Sequence, residues 1–188
     1  MPEKWKENEL LVEECVSIPG RLGREDLYRL IELCDKYIPK HDGMIAEVGV
    51  YCGRSTHIFQ RFGTVLAVDN TFNDAELTLG LPRRGYFESA RDKYGWNVIS
   101  SELESTQSAK AASDRGTKFK AIFIDANHDY QSVRNDIDAW LPLLEEGGFI
   151  FGDDYLEEFS GVKQAVNETF GDRVKTTHHQ KIWYIKND

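Results

Sequence analysis

The stretch EVGVYCGRST, Glu47–Thr56, decides how this chain folds. It leaves an apolar run, turns through Gly49 and Gly53, and opens a helix at Ser55. Glycines at those positions let the backbone turn tightly and approach a ligand, and a helix amino terminus offers N–H donors. A dinucleotide site asks for GxGxxG, whereas Tyr51 and Cys52 fill the space between these glycines. That spacing disfavours pyrophosphate and favours a smaller cofactor with a carboxylate end. The next apolar run ends VLAVDN and places Asp69 at a strand end. There an acidic side chain can accept hydrogen bonds from both hydroxyls of a ribose.

Outward from this turn, short apolar runs alternate with helical stretches. The runs are Met44–Val50, Thr64–Val68, Trp96–Ile99, Ala121–Ile124 and Phe149–Phe151. They are rich in β-branched and aromatic residues and barely alternate, as strands buried on both faces do. Between them, helices are expected over Ser55–Arg61, Phe87–Lys93, Thr106–Ala112 and Tyr130–Glu145. The last carries Val133, Ile137, Trp140, Leu141 and Leu144 on one stripe, with Gly147 and Gly148 as its stop. A further helix is expected over Arg24–Ile38, ended by Pro39 and Gly43, and another over Gly161–Phe170. Val174–Thr177 and Ile182–Ile185 read as two terminal strands. The segment before residue 20 is polar and mixed and reads as a short arm or irregular helix. The whole is expected to be a single α/β domain, 1–188, with residues 1–23 as the arm and a parallel sheet at its centre.

Composition narrows the partners. The 188 residues are 40% hydrophobic and 12% aromatic, enough to fill one core. A formal net charge of −9 repels phosphate backbones and anionic lipid, so neither nucleic acid nor membrane is an expected partner. No apolar run approaches the roughly 20 residues that span a bilayer. The three cysteines, Cys15, Cys34 and Cys52, show no CxxC spacing and read as free thiols of a cytoplasmic protein.

The chemistry is expected at two other strand ends. FIDANHDY, Phe123–Tyr130, follows the fourth strand and FGDDY, Phe151–Tyr155, follows the fifth. Parallel strands bring both to the carboxyl edge of the sheet, where Asp125, Asp153 and Asp154 converge. Three carboxylates together repel unless protons or a cation neutralise them, and a divalent ion with oxygen ligands, Mg²⁺ first, is the natural answer.

The pattern E-x-G-x-Y-x-G-x-S, matched by Glu47, Gly49, Tyr51, Gly53 and Ser55, resembles the first motif of class I methyltransferases that use S-adenosylmethionine (SAM). The form is that of the catechol O-methyltransferase-like and macrolide-sugar O-methyltransferase-like families. The resemblance implies a Rossmann-like, seven-stranded, mostly parallel sheet with helices on both faces and an antiparallel last strand. It implies that Gly49 and Gly53 shape the turn under the methionine moiety, Ser55 holds its carboxylate, Asp69 the ribose, and Ser105 and Thr106 the adenine edge. Asp125 is implied as a metal ligand beside the cofactor, with Asp153 and Asp154 as the acidic pair after strand five. His128, three places beyond Asp125, is implied as general base, a role that suits an imidazole with its near-neutral pKa. The sugar-modifying branch often reads D-G-D-H where this chain has Asp125, Ala126, Asn127 and His128, so a glycine and a carboxylate are missing.

The implied reaction is metal-assisted O-methylation of a small hydroxylated acceptor, a sugar or related metabolite, with a homodimer admitted as an assembly. The rival readings are a hydroxylase or N-methyltransferase on the same frame, and a SAM-binding protein that turns nothing over. The irregular stretch Asn70–Gly85 follows the second strand and can cover the site as a lid. Arg83 and Arg84 within it would clamp a carboxylate or phosphate of the acceptor. His178 and His179 read as a solvated turn, Trp140 as core and Cys52 as packing.

Overall fold

A computed structural model describes residues 3–74, 82–177 and 179–186. The chain runs through α1 (Glu3–Lys6), α2 (Glu9–Ser17), α3 (Arg24–Tyr37), β1 (Met44–Val48), α4 (Thr56–Phe59), β2 (Thr64–Val68), α5 (Arg83–Tyr94) and β3 (Val98–Ser101). It continues through α6 (Ser105–Asp114), β4 (Phe119–Ile124), α7 (Tyr130–Trp140), β5 (Leu144–Gly152), α8 (Ser160–Phe170), β6 (Lys175–Thr176) and β7 (Trp183–Lys186).

The seven strands form one sheet in the order β3-β2-β1-β4-β5-β7-β6. Strands β1 to β5 pair in parallel, and β7 pairs antiparallel with both β5 and β6. The strand order reverses between β1 and β4, and such a switch point opens a crevice beyond the strands' carboxyl ends. Two apolar layers flank the sheet because inward residues alternate. Ile45, Ala121 and Phe149 face α2 to α5, while Ala46, Ile122 and Ile150 face α6 to α8. Burying both faces of the central strands explains their continuous apolar runs.

Several element boundaries depart from expectation for local reasons. β1 stops at Val48 rather than Val50, because Gly49 has φ +87° and leaves the strand. β3 covers Val98–Ser101 rather than Trp96–Ile99. It is the sheet's edge, where polar Ser100 and Ser101 are tolerated, while Trp96 packs beneath the first turn. α7 ends at Trp140 and a single 3₁₀ turn holds Pro142, so the expected helix to Glu145 breaks early and β5 begins at Leu144. α5 begins at Arg83 rather than Phe87. Arg83 and Arg84 therefore stand on a helix's first turn, not on a lid; residues 75–81 of that stretch lie outside the described residues, as does His178.

The arm is more than a polar tail. Leu11, Val12 and Cys15 of α2 are buried, and Trp5 stacks on Tyr28 at 4.5 Å. Arg54, beside the first turn, donates to the carbonyls of Ile18 (2.8 Å) and Leu22 (2.7 Å) and pins the end of the arm against it. No helix among the described residues is long and apolar enough to cross a membrane.

Candidate active site

A cleft of about 630 Å³ opens at the carboxyl edge of the sheet, over the switch point. Its size falls within the range of nucleoside-sized ligands. Gly49 is obligatory here: a Cβ on it would stand 1.9 Å from the carbonyl oxygen of Asp125. The loops after β1 and β4 thus cross in contact. Gly53, at φ +92°, has a different task, because its Cβ would meet the Trp96 ring at 2.8 Å rather than the cleft.

Glu47, fully buried, lies behind the cleft wall and accepts hydrogen bonds from Ser55 (2.5 Å) and Thr56 (2.6 Å). Burial pushes its carboxyl up to about 8, against the pull of the two hydroxyls. It therefore ties the start of α4 to β1. Tyr51 lines the cleft in a left-handed conformation, φ +56°. Asp69 sets that conformation: its Oδ2 accepts from the N–H groups of Val50 (3.0 Å) and Tyr51 (2.7 Å). Its Oδ1 accepts from the N–H and hydroxyl of Thr71 at 2.7 and 2.6 Å. A carboxylate has about four acceptor sites, and all are engaged.

At the far end, Leu103–Thr106 and the face of α7 close the cleft. The Trp140 indole donates to Ser105 Oγ at 2.9 Å. An indole only donates, so the Ser105 proton is directed to Asp136, which is hydrogen-bonded to Ser105 and raised to about 6 by burial. Asp136 and Glu104, the latter held by Asn70 at 2.7 Å, line the cleft beside Ser105 and Thr106. Neither stood out in the sequence, because one lies within a helical stripe and the other in a run of surface charge. Trp140 likewise does more than fill the core.

Asp125, His128, Asp153 and Asp154 meet near the switch point. Asp129 caps α7 by accepting from the Ser132 N–H at 3.0 Å, which leaves His128 just ahead of the helix and against Phe159. His128 Nε2 lies 2.9 Å from Asp154 Oδ2, and Asp154 holds a left-handed φ of +59°. Burial, then the charges of Asp153 and Asp154, push the Asp125 carboxyl well above the usual carboxylate range. Burial also raises Asp153, to about 6, although Lys181 opposes it. Lys181 is a further cleft residue that sequence reasoning missed. Its Nζ is 3.1 Å from Asp153 Oδ2 and 3.2 Å from Asp26 Oδ2 of α3. Burial works against its charge, but the two carboxylates outweigh that and raise its pKa. Only the folded terminal hairpin brings it here.

Among the described residues, Asp125, His128 and Asp154 each offer one atom within 4.8 Å of the others, a donor set that fits a divalent ion. His128 stands in it where the sequence pointed to Asp153, whose buried Oδ1 meets no hydrogen-bond partner among those residues. The two arginines at the start of α5 part company. Arg83 lines the cleft, its guanidinium 4.4 Å from the Tyr51 ring centroid and bonded to Thr71 Oγ1 at 2.6 Å. Arg84 instead pairs with Glu102 and Glu88 outside the cleft. The second guanidinium near Tyr51 is Arg21, at 5.9 Å from the ring.

A crevice over a reversed parallel sheet, entered by a glycine turn and a strand-end carboxylate, defines a Rossmann-like class I methyltransferase fold. A family model described as a methyltransferase domain matches residues 46–155, more than half of the chain, and the protein belongs to that family of SAM-dependent enzymes. Solved structures agree on the fold. An apo TDP-rhamnose 3′-O-methyltransferase of calicheamicin biosynthesis has a TM-score of 0.68 at 16% identity, covering 99% of this chain and 95% of that one. An O-methyltransferase from Bacillus cereus in complex with SAH (S-adenosylhomocysteine) has a TM-score of 0.65 at 19% identity, covering 99% and 92%. An rRNA methylase from Streptococcus thermophilus has a TM-score of 0.62 at 13% identity, covering 86% and 96%. One frame serves acceptors of very different size, so the acceptor must be read from the site.

Proposed function

We propose that this protein methylates a hydroxyl oxygen of a small anionic acceptor, with His128 as general base. The observation that carries the reading is the His128–Asp154 pair in the cleft beside Asp125. A donor from His128 Nε2 to Asp154 leaves Nδ1 as the ring's acceptor, and a carboxylate partner stabilises the imidazolium that forms.

SAM supplies an electrophilic methyl group on a sulfonium. The turn from Gly49 to Tyr51 holds its methionine moiety, and Ser55 lies beside the carboxylate. Asp69 holds the ribose by exchanging the Thr71 hydroxyl, which keeps Arg83 as a partner. Ser105 and Thr106, with Asp136 and Glu104 beside them, border the adenine. Asp125, Asp153 and Asp154 would hold a divalent ion, Mg²⁺ being the simplest choice for oxygen donors, and such an ion would lower the cost of charge developing on the acceptor oxygen. His128 would take the hydroxyl proton as the oxygen bonds to the methyl carbon and the carbon–sulfur bond breaks, with S-adenosylhomocysteine leaving. Arg83, with Arg21 across the Tyr51 ring, attracts an anionic group of the acceptor; Arg84, outside the cleft, leaves the assignment made from sequence.

The test is incubation with SAM and Mg²⁺ over matched neutral and anionic hydroxyl compounds, read by product mass. A gain of one methyl on oxygen, preferentially in anionic compounds, is expected. Methylation of nitrogen or carbon instead, or SAM binding with no turnover of any acceptor, overturns the reading.

A further inference from the structure

The acidic cluster already contains a cation belonging to the chain. Lys181 reaches Asp153 from the connection between β6 and β7, and its side chain is only 20% exposed. Its placement is built rather than incidental. The Lys181 carbonyl accepts from the N–H of Tyr155 at 2.8 Å, which anchors it to the residue after Asp154. The two residues before it, His179 and Gln180, both adopt left-handed φ values of +72° and +58°. Non-glycine residues persist there only where surrounding contacts hold them. Here bonds from Gln180 N to Thr177 O (2.8 Å) and from Thr177 N to Ile182 O (2.9 Å) close the turn.

Asp153 is divided between two uses. Its Oδ2 faces the ammonium, whereas its buried Oδ1, in a residue only 5% exposed, meets no hydrogen-bond partner among the described residues. An unpaired buried carboxylate oxygen beside two further carboxylates is a place for a second positive charge. The ammonium also has somewhere to go, because Asp26 is 3.2 Å from the same Nζ.

We infer that Lys181 is a resident cation that balances the cluster while no metal is bound and weakens the hold on a divalent ion by competing for Asp153. Asp26 receives the ammonium when the ion enters. The inference rests on the metal site of the proposed function. Its sign follows from electrostatics: a fixed positive charge next to a cation site lowers affinity, so removing it raises affinity. A lysine that merely oriented Asp153 as an outer partner would do the reverse, since losing such a partner weakens metal binding.

Mn²⁺ titration of the full chain, followed by electron paramagnetic resonance and calorimetry, separates these. Lys181→Met should bind Mn²⁺ about tenfold or more tightly than wild type, Lys181→Arg should stay near wild type, and Asp26→Asn should bind more weakly. Without Mn²⁺, Lys181→Met should melt below wild type, and saturating Mn²⁺ should close that gap. A purely structural lysine would leave the gap in place. Unchanged or weaker Mn²⁺ binding by Lys181→Met overturns the inference alone. No Mn²⁺ binding by either protein removes the metal from the proposed function and the inference with it.

Discussion

His128 and Glu47 show how one side chain's surroundings set what it can do. With Nε2 facing Asp154 Oδ2 at 2.9 Å, His128 is left with Nδ1 to accept a proton. His128→Ala should lower kcat by roughly two to four orders of magnitude while the affinity for SAH, measured by calorimetry, stays near wild type. A rate lost only through lost SAH affinity would make His128 a scaffold residue. Glu47, raised to about 8 by burial, keeps in the folded state a proton that the unfolded chain releases near the ordinary glutamate value of 4.5. Its contribution to stability is full below that value, is lost as pH rises from there to about 8 at up to about 1.4 kcal/mol per pH unit for one proton, and changes no further above it. Glu47→Gln is neutral throughout. Melting curves from pH 5 to 8 should therefore show the variant gaining on wild type as pH rises; parallel curves would show that Glu47 does not titrate there.

At the scale of elements, the turn after β1 is held from behind by α5 and by the connection from α5 to β3. Gly53 abuts Trp96 and Phe87, and the Trp96 indole donates to His57 Nδ1 of α4 at 2.8 Å. His57 Nε2 then faces Glu14 of α2 at 3.0 Å, so one buried imidazole ties the arm to the turn. Trp96→Phe keeps the ring but leaves His57 Nδ1 a buried acceptor without its donor, at a cost of about 1–3 kcal/mol by urea unfolding. Gly53→Ala should destabilise by a similar or larger amount, because a Cβ meets the indole and φ is positive. An unchanged urea midpoint in both would mean that the turn does not depend on this backing. The glycine pattern itself was legible in the sequence, yet the reason for Gly53 was not. Nothing in residues 47–56 says which distant aromatic will lie behind them.

For the molecule as a whole, two arginines of the cleft are placed apart from its carboxylate cluster. In a chain of formal charge −9, Arg21 and Arg83 stand by Tyr51 in a cleft that also holds Asp125, Asp153 and Asp154. Arg83→Ala should raise KM for an anionic acceptor about tenfold, the worth of one charge-assisted bond, whereas Arg84→Ala should leave it near wild type. Equal effects would place the anion elsewhere. The arm belongs to the same scale, since residues Pro19 to Leu22 form a wall of the cleft and Arg54 holds them there. Arg54→Ala should weaken SAH binding measured by calorimetry; unchanged affinity would show that the wall does not touch the cofactor.

The family resemblance supplied the antiparallel end of the sheet; the residues by themselves determined the α/β alternation, the parallel sheet, and the gathering of Asp69, Asp125, Asp153 and Asp154 at the strands' carboxyl ends. Those features follow from local hydrophobic period and from the geometry of parallel strands, both of which are written in short windows. The end of the helix at Trp140 was also within reach, for Pro142 stood in plain view. Only the tertiary structure decided which side chains face the cleft. It turned Glu47 and Gly53 away, separated Arg83 from Arg84, and brought Lys181 to Asp153 across 28 positions and to Asp26 across 155. Such contacts depend on how distant elements pack, and a hairpin's last turn carries no mark in its own residues of the carboxylates it will meet.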